Sequence, residues 1–151
     1  MSGDCFACAA NANSELVPGG VIHETRQWLI DHCVGPLGIG TLIVRPKRHI
    51  TRVAELDDAE VAELGPLLRT AAKVVDDLVK PEQVYVWLFS HAGGVPVHIH
   101  YVVQPATREV MDELGEYGPH LTVAMFERGV SPDPEQMAVF ADRARAAWPP
   151  T

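Results

Sequence analysis

The segment from Pro96 to Val103 constrains this chain most, because it alternates in the manner of a strand with two unlike faces. Side chains two residues apart share a face, so Pro96, His98, His100, Val102 and Gln104 point one way and Val97, Ile99, Tyr101 and Val103 the other. The second set is apolar apart from the tyrosine hydroxyl and suits a core. The first presents two imidazoles away from that core, next to Gly93 and Gly94. One strand histidine is most simply structural, whereas two at this spacing beside a glycine loop indicate a site.

The other elements follow from periodicity and turn residues. Residues 21–24 and 27–31 read as short strands around a turn, 41–45 as a third strand ended by Pro46, and 84–90 as a fourth. The fourth is apolar on both faces and is expected to be central, with Ser90 to Gly94 as a loop. A helix begins after Asp57, which with Glu60 forms a capping box, and buries Val61, Leu64, Leu67, Leu68, Ala71, Val75 and Leu78. Gly65-Pro66 predicts a kink or short break in it. After a polar stretch, a last helix is expected from about Asp133 to Ala147 with Met137, Phe140, Ala141 and Ala144 inward. These elements predict an α+β fold: a five-stranded antiparallel sheet with two main helices.

At 151 residues and 47% hydrophobic, the chain is expected to form one domain over residues 1–151. A net charge of -8 argues against a general nucleic-acid binder. Arg45, Lys47, Arg48 and Arg52 nonetheless cluster around His49, either as a basic rim that steers a small phosphate ligand or as solvated charges at a strand end. The start, Met1 to Phe6, lacks the basic and apolar pattern of a signal peptide, and no apolar run has membrane-spanning length, so a cytoplasmic protein without a membrane partner is expected.

Cys5, Cys8 and Cys33 are too few and too oddly numbered for a disulfide framework. The pair Cys5 and Cys8 has the spacing of one side of a tetrahedral metal site. A redox pair is expected at a helix start after a strand, a setting the N-terminal segment does not offer. Zinc would need two further ligands from among His23, His32, His49, His91, His98, His100 and His120.

Arg45-Pro46-Lys47-Arg48-His49-Ile50, the apolar strand before it, the Cys5-x-x-Cys8 pair and His98-Ile99-His100-Tyr101-Val102-Val103-Gln104-Pro105 together resemble the histidine triad (HIT) superfamily, in the same order. The similarity runs from about Cys5 to Pro105. It implies a HIT-like domain, paired into a homodimer, with a structural zinc held by Cys5, Cys8, His49 and His98 as in zinc-bearing members and the related galactose-1-phosphate uridylyltransferases. It also implies that His100 is the nucleophile, forming a nucleotidyl-histidine on a small nucleotide, with backbone amides of Gly93 and Gly94 as oxygen donors.

Only two of the three usual histidines are present. Either Pro96 replaces the first, or Val102 replaces the third; the spacing from His98 to Pro105 favours the latter. Valine offers no donor where the uridylyltransferase branch carries glutamine, so Gln104, Ser90 and His91 are the candidate replacements. The resemblance also places a ribose contact at Asp31 or His32, with the register favouring His32. Implied activities are hydrolysis of nucleoside phosphoramidates or dinucleoside polyphosphates, nucleotidyl or phosphorolytic transfer to another acceptor, or non-catalytic nucleotide binding.

Overall fold

The alternation around the two histidines belongs to a strand longer than expected. In the computed structural model, which describes residues 4–151, β5 spans Val95–Ala106, and β1 (His23–Glu24), β2 (Trp28–His32), β3 (Leu42–Pro46) and β4 (Gln83–Ala92) join it in one antiparallel sheet. Met1 to Gly3, which open the segment read above for a leader, lie outside the described residues. The sheet order is β1-β2-β3-β5-β4, and the fold is α+β as expected.

One sheet face is sealed by α2 (Asp58–Val79) and α5 (Pro134–Ala147). Trp28, Ile30, Leu42, Val44 and Val103 pack there against Leu67, Ala71, Val74 and Val75 of α2 and Phe140, Ala141 and Ala144 of α5. The α5 residues expected to point inward are all buried, whereas Val61 on α2 is exposed and Val74 takes a core position instead. The Asp57–Glu60 capping box is present. The expected kink at Gly65-Pro66 is absent: α2 runs unbroken through Pro66, which faces solvent, where the unpartnered carbonyl one turn earlier can be hydrated.

The polar stretch before the last helix carries α3 (Arg108–Leu114) and α4 (Pro119–Arg128), in addition to α1 (Phe6–Ala12) near the N-terminus. These short helices pack on the opposite sheet face, where Leu121 and Met125 meet Cys33, Leu37, Val102 and Ala106. On β4, Tyr85, Trp87 and Phe89 pack in this second cluster and Val84 in the first, while Val86 and Leu88 are exposed, because β4 is an edge strand and not central. Its connection to β5 is also tighter than the expected loop. Only Gly93 and Gly94 form the turn, with φ of 57° and 78°, the left-handed pair that a two-residue hairpin favours. Among the described residues no helix is long and apolar enough to cross a membrane.

Candidate metal centre and histidine cavity

Cys5 caps the start of α1, its Sγ accepting from the backbone N–H of Cys8 at 3.4 Å, so both sulfurs lie at one helix end. His49 follows β3 on a segment tied to β5 by the bond from Ile99 N–H to the carbonyl of Ile50. The tie brings His49 beside His98, their rings edge to face with centroids 5.1 Å apart.

The potential ligand atoms of Cys5, Cys8, His49 and His98 all lie within 4.8 Å of one another. His98 Nδ1 is 3.7 Å from Cys5 Sγ and 3.6 Å from Cys8 Sγ, and His49 Nδ1 is 3.3 Å from Cys8 Sγ. A tetrahedral zinc ion, with bonds of about 2.3 Å to sulfur and about 2.0 Å to nitrogen, sets such atoms about 3.5 Å apart. The donor set therefore fits a metal ion. His98 Nε2–H donates to the carbonyl of Pro46 at 2.8 Å, which turns the lone pair of Nδ1 toward the thiols.

His100, two residues on, faces a different surrounding. Its Nδ1–H donates to the carbonyl of His98 at 3.0 Å, so Nε2 carries the lone pair. Burial lowers its pKa, as does the nearby charge of Arg45, while the bond to His98 opposes them; the ring is accordingly neutral at neutral pH. Phe89 meets it edge to face at 5.9 Å. Both residues border a cavity of about 670 Å³ whose walls also include Phe6, Val95, Phe126 and Val102. Such volume and apolar lining suit a small organic ligand.

The other expected contacts separate into two groups. Asp31 lines the cavity. His32, the residue the register favoured, turns its ring to the other sheet face against Phe140, and both nitrogens are bonded: Nδ1–H donates to the carbonyl of Cys33 at 2.8 Å and Nε2 accepts from Gly40 N–H at 2.9 Å. His32 therefore borders the cavity without directing its ring nitrogens into it, as alternation along a strand requires.

Gln104 is fully buried beneath α4 and outside the cavity wall. Its Oε1 accepts from Trp87 Nε1 and Thr122 Oγ1, and its Nε2 donates to Met125 Sδ. Ser90 and His91 border a separate hollow of about 200 Å³ with Thr51 and Arg52. Gly93 and Gly94 sit at the hairpin tip, where only their neighbours Ala92 and Val95 reach the cavity. None of these residues is in the wall of the histidine cavity.

The basic rim is also different from its appearance in sequence. Arg45 turns inward and forms a two-bond ion pair with Asp31, Lys47 pairs with Glu24, and Arg48 pairs with Glu60. Arg45 is thus a cavity residue that the charge run concealed. Strand alternation could have found it, because Leu42 and Val44 take the core face and leave Ile43 and Arg45 on the histidine face.

A histidine triad-like protein from Bartonella henselae, described as involved in cell-cycle regulation, superposes with a TM-score of 0.72 at 17% identity, covering 97% of this chain and 98% of that one. The fold is that of the histidine triad proteins. A histidine triad nucleotide-binding protein from Sulfolobus tokodaii gives 0.69 at 21% identity over 94% of this chain and 90% of that one. A zinc-bound histidine triad family protein from Mycobacterium smegmatis gives 0.65 at 19% identity over 95% and 94%. No family model matches the sequence.

Proposed function

We propose that this protein is a zinc-stabilised nucleotide hydrolase that acts on nucleoside phosphoramidates or dinucleoside polyphosphates through a nucleotidyl group carried on His100. The observation that carries this reading is the His100 ring itself: Nδ1–H is fixed on the His98 carbonyl, and the neutral ring leaves Nε2 available as a nucleophile beside the cavity. Nε2 attacks the α-phosphorus and forms an N–P bond as the bond to the distal group breaks. That group leaves with the electron pair and takes a proton. Water then attacks the same phosphorus, loses a proton to solvent, and the N–P bond returns its pair to the ring.

Cys5, Cys8, His49 and His98 would hold the zinc. When bound, the ion would have a closed shell with no position for substrate, and would serve to join α1, the end of β3 and β5. The protein is further proposed to pair as a homodimer. The open edge of β4 and the exposed Val86, Leu88 and Val95 support that pairing.

Transfer to an acceptor other than water uses the same intermediate. A binding module without turnover is the second reading, favoured by Val102 and by the full engagement of Gln104 inside the fold. A panel of nucleoside phosphoramidates and dinucleoside polyphosphates, assayed with the native protein and with His100→Ala, separates the readings. The hydrolase reading expects turnover with the native protein and a loss of at least about a hundredfold in the variant. Tight nucleotide binding with no turnover of any compound, with or without added acceptors, would leave the binding module.

A further inference from the structure

We propose that Arg45 is the phosphate-binding cation of the cavity, held in place by Asp31 and Asn11. This rests on the reading that the cavity takes a nucleoside phosphate. Val44 pairs with Tyr101 across β3 and β5, which sets Arg45 and His100 next to each other, one position along each strand. Cross-strand neighbours of this kind have Cβ atoms about 5 Å apart. Arg45 is the one permanently charged cation in the cavity wall among the described residues.

The guanidinium is fixed before any ligand arrives. Its Nε–H donates to Asn11 Oδ1, and Nη1 and Nη2 each donate one hydrogen to Asp31, all at 2.7 Å. Arginine has five N–H groups, so one hydrogen on each Nη remains beyond these three bonds. They lie on opposite sides of the planar guanidinium, so each can donate one charge-assisted bond to a phosphate oxygen. Val102, next along the His100 face, offers no donor.

The pair with Asp31 has little net stabilising value, because desolvation offsets most of the attraction. In the free protein it neutralises Arg45, and Asp4 is the other carboxylate at the cavity wall. A phosphate entering beside His100 would meet a positioned cation whose carboxylate partner tempers its affinity. Asp31 thus sets how tightly a phosphate is held, a useful property where product must leave.

The test measures dissociation constants by calorimetry for AMP and adenosine, and for GMP and guanosine, on the metal-replete full chain. The ratio between each monophosphate and its nucleoside isolates the phosphate contact from the base and ribose. Native protein is expected to favour the monophosphate by about tenfold or more, and Arg45→Met to bring that ratio close to one. Asp31→Asn is expected to raise the ratio, since it removes a negative charge and leaves Arg45 unneutralised. Arg45→Lys, which keeps the charge without the planar guanidinium, gives an intermediate ratio and carries the test if the methionine variant does not fold. A role confined to tying α1 to the sheet would lower thermal stability but leave the ratio unchanged in every variant, which would overturn the proposal. Native protein that binds no member of either pair would overturn the nucleotide reading, and this proposal with it.

Discussion

The His98–His100 half and the Val102–Ala106 half of β5 share one strand and one sheet face, yet they have become different materials. In the first half, the side chains reach a cluster of metal-ligating groups and an open cavity. In the second, Gln104 and Ala106 are sealed under α4 with Leu121 and Met125, and Val102 marks the border, touching both the cavity and that cluster. The alternation that places these residues together is the same throughout. What differs is the covering layer, so the character of a strand face is decided by the element that packs on it.

Removing the metal should break the comparison most severely, by loosening the open half. If zinc joins α1 to β3 and β5, chelation or Cys5→Ser should lower the thermal midpoint by about 10 °C or more, measured by scanning calorimetry with metal content followed in parallel. A fully folded protein that contains no zinc after purification without added metal would count against the structural site.

In the sealed half, Leu121→Ala should cost about 3 kcal/mol in a urea titration, because it opens a cavity beside Val102. Its metal content should stay near that of the native protein. Loss of zinc in this variant would show that the halves are not independent.

A smaller effect is expected from Gln104→Leu. The change leaves Trp87 Nε1 and the Thr122 hydroxyl without their acceptor and should cost about 2 kcal/mol. Turnover by His100 should persist, since Gln104 lies outside the cavity wall. A large loss of activity at unchanged stability would return Gln104 to the chemistry.

The smallest effect concerns Cys33, which borders both regions and whose thiol pKa is pushed up to about 11, first by burial. Because the folded value lies above that of the unfolded chain, the thiol's share of stability is fully present below the unfolded pKa. It is lost as pH rises through the folded one, when the denatured state has already released its proton. Native protein should therefore lose up to about 2 kcal/mol more stability than Cys33→Ala between about pH 9 and pH 11, in urea titrations at each pH. Rapid alkylation of Cys33 in the folded protein at pH 8 would contradict this burial.

The legible features were those written in local pattern. The β5 alternation, the Asp57–Glu60 capping box and the inward face of α5 depend on residues a few positions apart. The four dispersed residues of the metal cluster came from the family resemblance, and the structure brings them together.

Features that depend on the covering layers were not legible. Two apolar faces look alike on a central and an edge strand, so β4 could not be placed, and Gln104 looks available because the polar stretch does not announce the α4 that covers it. Arg45 resembles its solvated neighbours when the charge run is read alone, although the alternation of β3 already places it on the histidine face. Gly93-Gly94 was the exception, since a glycine pair between apolar strands is already a signal for a two-residue hairpin.

The division of labour between the two histidines is tested most directly by locating a covalent adduct. Native protein mixed with a nucleoside phosphoramidate, quenched during turnover and measured by intact mass and by peptide mapping, should carry one nucleotidyl group on His100. The adduct should be absent from His100→Ala that retains its metal. A nucleotidyl group on His98, or turnover that persists in His100→Ala, would contradict the account.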